Sequence, residues 1–107
     1  MTGQIAAVIV TYHPLITNIQ QLLERLSPQV ASIVVVDNGS HNVEEIEKLL
    51  VNYQQTTLIS LADNHGIGFA QNKGIVFALE KSEIGGVILF DHDSLPETQM
   101  VQQLLEA

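Results

Sequence analysis

The amino-acid sequence predicts an α/β fold, a three-layer arrangement in which a parallel sheet is covered by helices on both faces. Two observations carry that expectation. Four short apolar runs, residues 5–11, 33–37, 57–61 and 87–90, recur along the chain, and the first three are rich in β-branched residues. They read as strands buried on both faces, as a parallel sheet requires. Between them the apolar spacing changes to a helical period, so the order is β-α-β-α-β-α-β-α with right-handed crossovers.

Each element has its own signal. After the first strand, Ile19, Leu22, Leu23 and Leu26 fall at i, i+3, i+4 and i+7, one stripe of a helix. After the second, Val43, Ile46, Leu49 and Leu50 repeat the pattern, and Asn42 with Glu45 forms an N-cap resembling a capping box. A less regular third helix spans 68–81, with Phe69, Val76 and Phe77 as its apolar side. After the fourth strand, Ser94-Leu95-Pro96-Glu97 has the S-x-x-E form of a helix start, and Met100, Val101, Leu104 and Leu105 follow. That last pattern stops at Ala107 about three turns in, with no C-cap signal. The expectation is the front half of a larger, truncated domain.

Composition excludes several functions. The chain has 107 residues, 46% of them hydrophobic, which is too apolar for a disordered segment. Four Lys and Arg against twelve Asp and Glu give a net charge of −8. A nucleic-acid partner, which demands a cationic surplus, is therefore not expected. The absence of cysteine removes disulfides, thiolate metal sites and cysteine nucleophiles. No apolar run approaches the roughly 20 residues of a membrane-spanning helix, and none has the flanks of a secretory leader. The expected location is the cytoplasm, with a peripheral place at the inner face of a membrane left open.

Ligands of doubly wound parallel sheets sit beyond the carboxyl ends of the strands. Those ends carry Thr11-Tyr12-His13-Pro14, Asp37-Asn38-Gly39-Ser40, Asp63-Asn64-His65-Gly66-Ile67-Gly68 and Asp91-His92-Asp93-Ser94. In Asp91-His92-Asp93, alternation along an extended segment turns both carboxylates to one side. Converging carboxylates suit a hard cation, Mg²⁺ or Mn²⁺, bridging to a diphosphate; capping of the last helix is the plainer alternative. Asp37 can accept hydrogen bonds from a base or a ribose, or simply form a turn, and its side chain is not expected to be needed by the core. Tyr12 offers a flat face for a base, or packs beneath a loop. The dinucleotide fingerprint G-x-G-x-x-G fails because position 71 is Gln. His13, His41, His65 and His92 lack the H-x-x-x-H spacing of a metal pair.

The stretches from Ala7 to Pro14, Val34 to Ser40, Asn64 to Ile75 and Phe90 to Pro96 resemble family 2 glycosyltransferases of the GT-A fold, whose nucleotide-binding half is Rossmann-like. Asn-x-Gly-Ile-Gly-x-Ala-Gln-Asn-x-Gly-Ile and Asp-x-Asp-Ser-x-Pro are most similar to bacterial rhamnosyltransferases of surface polysaccharides. The resemblance implies that residues 1–107 are the nucleotide-sugar-binding half of the domain. It implies a dTDP- or UDP-sugar donor, dTDP-rhamnose first, a saccharide or lipid-linked acceptor, and inverting transfer. Thr11 and Tyr12 would border the base, with Tyr12 stacked on it. Asp37 would hydrogen-bond the pyrimidine, and Gln71 would lie near the base. Asp91 would meet ribose or metal, and Asp93 would hold the divalent cation. The general base is expected beyond Ala107, so this chain alone is expected to be inactive and, with an uncovered edge and the Met100–Leu105 stripe exposed, to self-associate. Two other readings are a nucleotide-sugar-binding module without turnover and, less well supported, a phospho-receiver domain.

Overall fold

The computed structural model describes residues 4–91. In chain order the elements are β1 (Gln4–Thr11), α1 (Ile16–Leu26), β2 (Ser32–Asn38), α2 (Val43–Leu50), β3 (Thr56–Leu61), α3 (Ile67–Leu79) and β4 (Ile84–Asp91). The expected fourth helix, with Met100, Val101, Leu104 and Leu105, lies outside the described residues, and so does Asp93.

All four strands are parallel, in the order β3-β2-β1-β4. The first two crossovers step outward from β1 to β2 and on to β3. Right-handedness therefore puts α1 and α2 on the same face. The third crossover runs back past β2 and β1 to β4, so α3 must cover the opposite face. The two cores follow this division. Ala7, Ile9, Ile33 and Val35 meet Ile19, Leu22, Leu23 and Leu26 of α1 and Ile46 and Leu50 of α2. Ala6, Val8, Val10, Val34 and Val36, the alternate residues of the same strands, meet Ala70 and Ala78 of α3. Burial on both faces holds for the central strands β1 and β2, whereas the edge strand β3 is only half-buried.

Three expectations need correction. β4 begins at Ile84, ahead of the apolar run at 87–90, because Gly85-Gly86 reads as a break yet stays in the ladder. The register steps from Gln4↔Ile84 to Ile5↔Gly86, leaving Gly85 as the extra residue of a bulge. The buried side of α3 is not Phe69, Val76 and Phe77. It is Ala70, Gly74 and Ala78, at i, i+4 and i+8, while Phe69 and Val76 are 45% and 53% exposed and Phe77 is half-buried. A Cβ on Gly74 would stand 2.4 Å from Val8 Cγ1, so α3 comes as near the sheet as a helix without that atom can. Finally, Asn42 is the N-cap of α2 by position only: its side-chain amide donates to the Pro14 carbonyl at 2.8 Å instead of serving the helix.

Candidate functional site

The strand order reverses direction at β1, whose neighbours β2 and β4 are reached by opposite paths. The carboxyl ends of these three strands therefore flank the crevice where ligands of such sheets sit. The register brings Thr11 level with Asp37, and Val10 level with Asp91. Thr11 and Asp37 continue the odd-numbered face of β1 and β2, shared with Ile9 and Val35, so their side chains emerge together at the end of the α1–α2 core.

Asp37 is the centre of this cluster and is 1% exposed. Thr11 Oγ1 donates to its Oδ1 at 2.7 Å, the Ser40 hydroxyl donates to the same oxygen at 2.5 Å, and the Ser40 N–H donates to Oδ2 at 2.8 Å. Ser40 Oγ in turn accepts the His13 N–H at 2.8 Å. The carboxylate thus ties the end of β1, the end of β2 and the turn after it into one piece. Asp37 lies inside β2 and its side chain is bonded within the fold, which corrects the expectation that the fold could spare it. Beside the cluster Tyr12 keeps its ring 44% exposed, its centroid 4.0 Å from that of His13.

Asn38 points to the other face by the same alternation and clamps the loop that leads into α3. Its amide donates to Asn64 Oδ1 at 3.0 Å, its own Oδ1 accepts the His65 N–H at 2.9 Å, and Asn64 Oδ1 also accepts the Gly66 N–H at 2.8 Å. Gly39, at φ 88°, is obligatory between the two: a Cβ there would fall 2.9 Å from the Asp63 backbone. Gln71 is half-buried in the second turn of α3, on the face of the sheet opposite α1 and α2.

The structure therefore joins Thr11 to Asp37 and sets Tyr12 beside them. It ends β4 at Asp91 next to Val10, and carries Gln71 on the opposite layer. Ser40, Asn38 and Asn64 were not singled out from sequence. The D-x-x-S spacing was the available signal for Ser40, because an aspartate often accepts from backbone and hydroxyl groups a few residues ahead. Among the described residues no group of three or more His, Cys, Asp or Glu side chains converges as a metal cage. Among those residues, too, no helix is long and apolar enough to cross a membrane.

Residues 6–107 match the family model for glycosyl transferase family 2. The chain is 38% identical over 104 residues to the dTDP-rhamnosyl transferase RfbF of Shigella flexneri, an alignment covering 97% of this chain and 34% of that protein. Its fold is similar to the crystal structure of residues 1–349 of S. aureus TarS, with a TM-score of 0.73 and 22% identity over 96% of this chain and 31% of that one. The chain spans about a third of the length of either protein. With a match that takes in nearly every strand end described above, this chain belongs to glycosyl transferase family 2.

Proposed function

We propose that this chain binds a nucleoside-diphosphate sugar, dTDP-rhamnose before other dTDP- or UDP-sugars, as the donor half of an inverting, metal-dependent glycosyltransferase of surface polysaccharide. The observation that carries the reading is the Thr11–Asp37–Ser40 cluster beside the exposed Tyr12 ring at the point where the strand order reverses. The likeness to a dTDP-rhamnosyl transferase supports the choice of donor.

In this reading the pyrimidine stacks on Tyr12. Among the described residues Asp37 Oδ2 accepts the Ser40 N–H alone, which leaves it a lone pair for a pyrimidine N–H. Thr11 acts by holding Asp37 in place. The Gln71 side chain supplies an amide donor and acceptor near the base. Asp91 ends a strand next to Val10, at the mouth of the crevice, and meets the ribose or a metal. The donor set of Asp91 and Asp93 is all hard oxygen in a chain without cysteine, which fits Mg²⁺ or Mn²⁺. A divalent cation bound there would supply positive charge against the departing diphosphate. Transfer itself forms a bond from an acceptor hydroxyl oxygen to the anomeric carbon. The bond to the diphosphate breaks on the opposite side, and the hydroxyl proton passes to a general base.

Titration calorimetry with dTDP and UDP, in Mn²⁺ and again in EDTA, tests this. The expected result is binding that depends on the metal. Equal affinity in EDTA would remove the cation from the site, and no binding of either nucleotide would overturn the donor reading. Both this reading and a second, a nucleotide-sugar-binding module, expect binding without transfer, and transfer by this chain itself would exclude the second.

A further inference from the structure

Next to the Asp37 cluster the rings of His13 and His41 meet. Their Nδ1 atoms lie 2.7 Å apart, and His13 Nδ1 also faces the backbone N–H of His41 at 3.0 Å. The His13 ring stands between the other two, 4.0 Å from the Tyr12 centroid and 4.6 Å from that of His41. His13 is at φ 48°, a left-handed conformation that side chains seldom adopt and that persists only when neighbours fix it. The Ser40 hydroxyl holds its N–H, and His41 holds its ring.

Counting hydrogens assigns the roles. A ring nitrogen that faces two N–H groups must be bare, so His13 carries its hydrogen on Nε2, and His41 Nδ1 supplies the hydrogen between the rings. A further proton on His41 enters at Nε2 and leaves the bridge intact. A proton on His13 enters at Nδ1, and the single acceptor becomes a third donor aimed at the same spot. The described elements around the pair carry charges of both signs: Asp37 on β2, Glu44 and Glu45 in the first turn of α2 and Asp63 behind Gly39 are acidic, while Arg25 and Lys48 stand in the last turns of α1 and α2. Among the described residues the two imidazoles find their hydrogen-bond partners within this pair, ring to ring and backbone to ring.

We propose that His13 and His41 are positioning residues for the nucleotide base, a proton-sensitive bridge that holds the Tyr12 ring in place and opens when His13 takes up a proton. The role rests on the donor-site reading above; the bridge itself does not. Nucleotide binding should therefore weaken once His13 is protonated.

The test compares dTDP affinity at about pH 8 and about pH 5 for the wild-type chain, His13→Ala and His13→Asn. Asparagine tolerates a positive φ, and its Oδ1 accepts where Nδ1 did without titrating. His13→Ala should bind weakly at both pH values, and His13→Asn should recover most of the affinity. Between the two pH values the wild type should lose about tenfold more affinity than His13→Asn, a factor equivalent to one hydrogen bond. Taking the ratio of the two proteins cancels protonation of the nucleotide itself. Equal loss in both proteins overturns the proposal.

Imidazole nitrogen NMR on the nucleotide-free chain reads the bridge directly. A bare Nδ1 on His13 opposite a protonated Nδ1 on His41 is expected at the higher pH, and two freely mixed tautomers would overturn it. Failure to bind dTDP at any pH overturns the donor reading and the positioning role together, while the NMR result still decides the bridge.

Discussion

Asp37 has both carboxylate oxygens engaged before any ligand arrives. Replacing it with asparagine keeps the shape but sets an N–H₂ against the donors of Thr11 or Ser40. Hydrogen bonds to charged groups contribute about 1.5–3 kcal/mol, so Asp37→Asn should lower the urea midpoint by a comparable free energy with an unchanged slope. In calorimetry it should also weaken dTDP binding by roughly ten- to a hundredfold. Ser40→Ala removes the hydroxyl that donates to Asp37 and accepts from His13, and should cost about 1–2 kcal/mol in the same denaturation measurement. As polar residues closing apolar runs, Thr11 and Asp37 were visible in the sequence. Their mutual bond was not, because it depends on which residues of β1 and β2 stand level, and sheet register is a property of the paired strands.

At the scale of elements, α3 is seated by what it lacks. A Cβ at Gly74 would meet Val8 Cγ1 at 2.4 Å and Val36 Cγ2 at 3.1 Å, both fully buried and β-branched. Overpacking costs about 1–3 kcal/mol, more than the 0.8–1 kcal/mol that alanine gains over glycine in a helix. Gly74→Ala should therefore be net destabilising. Gly68→Ala, in the same helix with nothing within 4 Å of the added carbon, should be neutral to slightly stabilising. Thermal unfolding of the pair separates the two effects. At the α2–β3 junction, burial first and the Glu24 carboxylate second push the Tyr53 phenol above its ordinary 10.0. The unfolded chain then ionises first as pH rises past about 10. Stability present below that pH is lost as pH climbs through the folded value, and Tyr53→Phe should flatten this alkaline decline in pH-dependent denaturation curves. Hydrophobic period was enough to locate all seven described elements and the stripe of α1. The stripe of α3 escaped it because alanine and glycine carry too little apolar surface to register, though they set the distance between layers.

For the molecule as a whole, a ligand that binds only the folded chain adds its binding energy to stability. At a hundredfold excess over Kd this amounts to about 2.7 kcal/mol. dTDP with Mn²⁺ should raise the unfolding midpoint accordingly, and dTDP in EDTA should leave it unchanged; a shift of equal size in both would exclude the cation. The two faces of β2 have a consequence for which changes the chain tolerates. Asp37 serves one layer and Asn38 the other, and only the parity of their positions assigns them. Deleting or inserting a single residue between Ile33 and Val36 would exchange the two, aiming the carboxylate at the α3 loop and the amide at Thr11. Both clamps would be undone without changing any side chain that makes them. This stretch of chain therefore behaves like a reading frame, in which substitutions are local errors but a change of length garbles everything downstream.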